Sequence, residues 1–330
     1  MNLHQFRFVQ EAARRNLNLT ETARALHTSQ PGISKAILEL EEELGIDIFT
    51  RHGKRLTRIT EPGRQVLGSI EVILREVANL KRIGEEYSQQ EVGTLSVATT
   101  HTQARYVLPE PVAELRQRFP RVSVSLHQGT PQQVVRMLLD DEADIGIATE
   151  ALDRYDELIS LPCYDWQHVA VFPADHPLVA PGRPERLTLE DLAAWPLVTY
   201  HLAFSGRSRI DAAFAQAHLH PQVALEAIDA DVIKTYVRLG LGIGLVAEMA
   251  VRDDPAFMAS PELPAALVTR PVGHLFGRNT TRIAFKKGAY LRQFVLVLAE
   301  LLSPHLNQAL LTRLLADPQA GHSPAQGYDL

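Results

Sequence analysis

The chain has 330 residues, 45% of them hydrophobic, and a net charge of −6 from 33 Lys/Arg against 39 Asp/Glu. That length and apolar share allow more than one buried core. Cys163 is the single cysteine, which excludes an internal disulfide framework and fits a reducing compartment. The start Met1-Asn2-Leu3-His4-Gln5 lacks a basic-then-apolar secretion signal, and no apolar run is long enough to span a bilayer, so a cytoplasmic location is expected. Net negative charge argues against a nucleic-acid partner, but its distribution reverses the inference. Residues 1–60 hold nine Lys/Arg against seven Asp/Glu, a net of +2, leaving −8 for the remainder.

Within that basic segment, Asn18-Leu19-Thr20-Glu21 has the form of a helix N-cap with Glu three residues on. The helix it opens carries Ala23 and Leu26 inward and stops at His27-Thr28. Ser29 caps a second helix with Gln30-Pro31 in its first turn, where a missing N–H costs nothing. Ile33, Ile37, Leu40 and Leu44 form one buried stripe. Thr28, Ser29, Gln30, Pro31, Ser34 and Lys35 lie off the stripe near the helix start, where short polar side chains reach base edges in a major groove. The acidic Glu39, Glu41, Glu42 and Glu43 cluster late in the helix, away from that start. Arg51, His52, Lys54, Arg55 and Arg58 then crowd a hairpin whose tip suits Gly53, a wing that neutralises phosphate without reading sequence. The expectation is double-stranded DNA binding.

Phe6 to Gly63, with Ser29-Gln30-Pro31-Gly32-Ile33-Ser34, Leu40-Glu41-Glu42-Glu43-Leu44-Gly45 and Ile59-Thr60-Glu61-Pro62-Gly63, resembles the winged helix-turn-helix of LysR-type transcriptional regulators. Ala98-Thr99-Thr100-His101-Thr102-Gln103-Ala104-Arg105-Tyr106, the run 147–152 and the run 229–238 resemble the cysteine-regulon activators within that family. The resemblance covers roughly residues 1–305. It implies a regulator of sulfur-assimilation and cysteine-biosynthesis genes that meets promoter DNA and RNA polymerase as a homodimer or homotetramer. A LysR-type regulator of sulfate starvation, or of another regulon with a different small-anion effector, stands as the alternative.

Thr60-Glu61-Pro62-Gly63 opens a long helix in which Val66, Ile70, Ile73, Val77 and Leu80 keep a heptad spacing, read as a two-stranded dimer seam with packing on its own module as the alternative. Ser88-Gln89-Gln90-Glu91-Val92-Gly93 breaks the pattern as a hinge. Strand patterns at 94–99, 122–126, 145–148, 167–172, 197–200, 223–227 and 243–246 alternate with helical ones, the mark of βαβ units and a parallel sheet. A returning strand at 281–285 and a helix at 289–302 close the domain. The resemblance implies two α/β subdomains of periplasmic-binding-protein type. The organisation expected is a DNA-binding domain at 1–61, a linker helix and hinge at 62–92, and an effector domain at 93–303. Its first subdomain comprises 93–162 and 269–303, its second 163–268. A tail at 304–330, with a short helix at 306–315, ends in residues expected to be disordered.

Thr99-Thr100-His101-Thr102-Gln103 ends a strand and opens a helix, a junction whose free N–H groups and positive end attract an anion. No Lys or Arg intervenes before Arg105, so dipoles and hydroxyls do the binding. Thr149-Glu150 and Ser205-Gly206-Arg207-Ser208 face the same cleft, at the carboxyl ends of strands. From the residues alone, helix caps and a binding crevice stay equally open. The resemblance implies that Thr100, Thr102, Gln103, Thr149 and Ser205 form the effector pocket, for O-acetylserine or N-acetylserine with sulfate or thiosulfate as competing anions. Ser205 departs from the Thr common in relatives, and Thr130 stands where Ser is frequent.

Other motifs carry less. Gly240-Leu241-Gly242-Ile243-Gly244 follows a helix and precedes a strand, the reverse of a dinucleotide loop, and reads as a tight connection. Thirteen histidines include no His-Glu-x-x-His, and Gly-x-Ser-x-Gly is absent, so neither metal, cofactor nor catalytic activity is expected. Cys163 reads as a packed thiol. A solute-binding protein or an enzyme remains a rival reading without a supporting signal.

Overall fold

The computed structural model describes residues 1–53, 55–88, 92–184, 186–252 and 266–316. Lys54 of the wing, half of the expected hinge (89–91) and the end of the tail (317–330) lie outside the described residues. The chain divides into two compact units, 1–88 and 89–330.

In the first unit Asn2 caps α1 (Leu3–Arg14), and Asn18 Oδ1 accepts from the amides of Thr20 and Glu21 to start α2 (Leu19–Ala25). Ser29 Oγ accepts from the Gly32 amide at 3.3 Å and starts α3 (Gln30–Leu44). The wing is an antiparallel hairpin of β1 (Phe49–His52) and β2 (Arg55–Ile59), turning through Gly53 at φ +60°. Phe6 and Val9 of α1, Ile33, Ile37 and Leu40 of α3, and Leu56 of the wing share one buried core.

Three expectations change here. Leu44 is exposed, because α3 ends on it and Gly45 turns left-handed (φ +69°), lifting the last turn off the core. Leu26 is only half-buried. In α4 (Glu61–Ser88), Leu67 and Ile70 are buried in the unit's own core with Val66 and Leu74 against it, so the helix start packs on its own module. Ile73, Leu80 and Tyr87, each seven residues apart, remain exposed.

The second unit is a mixed sheet. β3 (Gly93–Thr99), β4 (Val122–Gln128) and β5 (Ile145–Ala148) are parallel, interleaved with α5 (His101–Tyr106), α6 (Pro109–Arg118) and α7 (Pro131–Leu139). The long β6 (Leu158–Pro173) follows. β7 (Leu197–Tyr200), β8 (Val223–Ala227) and β9 (Ile243–Ala247) form a second parallel set with α8 (Leu189–Ala193), α9 (Ser205–Gln216) and α10 (Ala230–Arg238). β10 (Leu267–Pro271), α11 (Gly273–Phe276), β11 (Arg278–Lys286), α12 (Gln293–Leu302) and α13 (Gln308–Ala316) complete it. The strand order is β4-β3-β5-β11-β6-β9-β7-β8, with β10 paired to β6.

β6 joins the two sets. From Leu158 to Gln167 it pairs antiparallel with β11, and from His168 to Val171 with β9. It is longer than the strand expected at 167–172 because Pro162 interrupts the pattern. The ladder absorbs that proline by a register shift between Thr281 and Arg282, where Cys163 is the extra residue. One half has its core around Leu95, Val97, Phe285 and Phe294, the other around Phe172, Leu197, Phe214 and Leu245. Gly242 (φ +151°) passes so close to Pro196 that a Cβ would lie 2.1 Å from its carbonyl oxygen, so the glycine-rich run is a tight connection. Among the described residues no helix is long and apolar enough to cross a membrane.

Candidate nucleic-acid interface and effector pocket

The start of α3 presents Thr28, Ser29, Pro31 and Lys35 to solvent, with Gln30 and Ser34 half-buried beside them. A groove between the α2 start, the α3 start and the wing is lined by Arg15, Asn18, Thr20, Gln30, His52 and Arg55. Donors and cations converge there as phosphate and base-edge recognition require. Arg15 was not legible as part of this surface, since its place follows only from the packing of α1 against α2.

Arg51 stands apart from the other wing cations. Its Nη2 donates to Glu41 Oε2 at 2.7 Å, and the two side chains are 21% and 4% exposed. Glu41 Oε1 also accepts from the amides of Ile48 and Phe49 at 2.9 and 3.0 Å. Arg51 therefore fastens the wing to α3. Glu41, one of the acidic residues late in α3, is the centre of that junction.

In the second unit Thr100, Thr102, Gln103 and Thr149 converge on one narrow crevice with a cavity volume of about 30 Å³. Thr100 and Thr149 sit at helix starts but make no capping bond with their side chains. Thr130, by contrast, caps α7 in a reciprocal pair with Gln133. Gln103 is buried: Tyr164 Oη donates to its Oε1, and its Nε2 donates to Thr281 Oγ1 at 3.3 Å. Ser205 opens α9 as expected, but its side chain lies outside the described residues. The remaining wall is Trp166, Tyr200, Phe204, Gly206 and Ala247.

Three features set the chemistry of this crevice. No Lys, Arg, Asp or Glu is among its described wall residues. Burial pushes the Tyr200 phenol up, and it accepts from the Ala247 amide at 3.2 Å, so it stays a neutral hydroxyl. Trp166 Nε1 is buried and makes no hydrogen bond in the structure. An indole N–H is donor only, so this buried nitrogen stands without an acceptor in the structure. Gly206 allows this wall to close, since a Cβ there would lie 3.0 Å from His168 Nε2 and 3.2 Å from the Trp166 ring. Arg207 is structural: it donates to the Tyr200 carbonyl, Glu226 and Asp211 at 2.9, 2.8 and 2.7 Å.

Beside the crevice, His101, Asp229 and Asp231 bring three potential metal-ligating atoms within 4.8 Å, a group that sequence spacing did not reveal. The Lys234 ammonium already lies 3.1 Å from Asp231, which weakens any attraction for a cation. Cys163 is buried, its thiol pushed up to about 12 by desolvation, as a packed thiol should be.

A winged helix-turn-helix and an α/β unit with a crevice walled by uncharged donors define an effector-binding DNA-binding regulator. Residues 3–64 match the family model described as bacterial regulatory helix-turn-helix protein, lysR family, and residues 88–307 that described as LysR substrate binding domain. The chain is 56% identical over 330 residues to the HTH-type transcriptional regulator CysB of Burkholderia cenocepacia, covering 100% of both. It is 52% identical to the HTH-type transcriptional regulator SsuR of the same organism, over 96% of this chain and 99% of that one. The crystal structure of the cofactor-binding domain of the Cbl transcriptional regulator superposes with a TM-score of 0.61 at 44% identity, over 68% of this chain and 93% of that one. The chain belongs to the LysR family of transcriptional regulators.

Proposed function

We propose that the protein regulates sulfur-assimilation and cysteine-biosynthesis genes in the cytoplasm, sensing a small acceptor-rich metabolite in the crevice of its α/β unit. The observation that carries this reading is the convergence of the Thr100, Thr102 and Thr149 hydroxyls and the Gln103 amide on a crevice whose described wall residues include no Lys, Arg, Asp or Glu. Fully dehydrated sulfate, thiosulfate or the carboxylate and acetyl oxygens of N-acetylserine suit aligned neutral donors. O-acetylserine fits less well, because the described wall residues offer its ammonium group no carboxylate. The exposed Ile73, Leu80 and Tyr87 row supports a homodimer through α4, with a homotetramer and contact with RNA polymerase at the promoter completing the assembly. An effector changes DNA binding only through different affinities for two arrangements of the protein.

A regulator answering sulfate limitation is a second reading, favoured by the same charge-free wall, which suits a bare oxyanion. Calorimetry of the full chain with N-acetylserine, O-acetylserine, sulfate and thiosulfate decides between them. Heat with N-acetylserine supports the cysteine reading, and heat with sulfate alone the second. Heat with none rejects a sulfur effector while leaving the DNA-binding class untouched.

A further inference from the structure

Helix α5 gives Thr102 and Gln103 to the crevice wall, and its last residue, Tyr106, crosses to the other half of the α/β unit. The Tyr106 ring packs against the core cluster that contains Val198, Ile233 and Val237. Its hydroxyl donates to Asp231 Oδ1 at 2.5 Å and accepts from Lys234 Nζ at 2.8 Å. Lys234 is only 3% exposed. Its ammonium lies 3.1 Å from Asp231, 2.9 Å from the Ala250 carbonyl and 5.0 Å from the centre of the Tyr106 ring. A buried ammonium is costly unless its partners are in place. Here one partner belongs to the opposite half, so withdrawing α5 would strip a hydrogen bond from both ions in a low-dielectric site. Tyr106 is not a wall residue of the crevice, so it acts there only through the helix it anchors.

We infer that Tyr106, Asp231 and Lys234 form a positioning unit for the effector crevice, clamping α5 against α10 so that Thr102 and Gln103 are set before an effector arrives. Preorganised groups bind more tightly because less ordering is left to the binding step. The inference rests on the effector reading of the crevice, and its test separates the two.

The test compares the full-length parent with Tyr106→Phe, which keeps the ring and loses the hydroxyl, and Asp231→Asn, which can still meet the phenol. Backbone hydrogen exchange is measured first, without ligand. Amides of α5 should exchange at least five-fold faster in Tyr106→Phe, those of α7 should be unchanged, and Asp231→Asn should fall between. Calorimetry with N-acetylserine and with sulfate should then show at least five-fold weaker binding in Tyr106→Phe. A general loss of stability would loosen α5 and α7 alike. That result, or unchanged α5 exchange, overturns the inference, as does faster α5 exchange with affinity within two-fold of the parent. Should the parent bind neither probe, the effector reading falls, and the exchange comparison alone decides whether the clamp exists.

Discussion

Arg51 of the wing and Glu41 of α3 form a largely buried ion pair at 2.7 Å, with the same carboxylate taking the amides of Ile48 and Phe49. The wing is thus held at a set angle to the helix whose start faces the groove. Glu41→Ala should destabilise the first unit by about 3 kcal/mol, since it strands a guanidinium and two amides. Thermal melting of the full chain reads this as a lowered transition for the first unit. Arg51→Ala should weaken operator binding yet leave its salt slope unchanged, because its charge is paired with Glu41.

Arg55 should behave in the opposite way. It is exposed on the groove wall, so Arg55→Ala should leave the melting temperature alone and lower the salt slope of operator affinity by roughly one. Gln30→Ala should cost about 1–3 kcal/mol of specific binding and little of non-specific binding. Fluorescence anisotropy on operator and scrambled duplexes over a salt series checks both. Equal losses on the two duplexes for Gln30→Ala would remove it from base readout.

Thr100 spends no hydroxyl bond on capping α5, so Thr100→Val should spare the helix. Binding of N-acetylserine or sulfate should weaken about five-fold, the ~1 kcal/mol of one lost hydrogen bond, while operator binding without effector stays at the parent level. Calorimetry and gel shift together test this, and a parent-like affinity would place the effector elsewhere.

His168 is fully buried in β6, and burial, assisted by the positive Arg209, lowers its pKa from 6.5 to about 3. Between those values the unfolded chain holds a proton that the folded chain does not. Stability should therefore be flat with respect to this residue above about pH 6.5 and fall below it by roughly 1.4 kcal/mol per pH unit towards pH 3. In His168→Gln that part of the slope should vanish, whatever the variant's stability at neutral pH. Urea unfolding between pH 4 and 7 gives the comparison, and parallel curves would assign the acid sensitivity to other groups.

Local chemistry made much of this molecule legible. Asn18 and Ser29 announced their helices as caps, and the bounds read for β5, β7 and β8 are those found. Strand ends facing the cleft of an α/β sheet made Thr100, Thr102, Gln103 and Thr149 candidates, and the family resemblance, not the residues alone, assigned them to a pocket. The same rule reached Tyr200 and Ala247, which end β7 and β9, but apolar and aromatic side chains there do not advertise binding. Trp166 had no local signal at all, since its place in the wall depends on where a crossing strand runs. Arg51 and Arg55 look alike in the sequence; what separates Arg51 is Glu41, ten residues away and readable only once α3 and the wing are packed.

β6 runs unbroken for sixteen residues under both halves of the α/β unit. The two lobes therefore share a beam and have no slack tether along this crossing. Any movement of one lobe against the other must therefore twist or bend that shared strand. Small torsion at the centre becomes larger travel at the rims, and the rims are β4 and β8. Any subunit that grips those edges would feel that movement as a rotation.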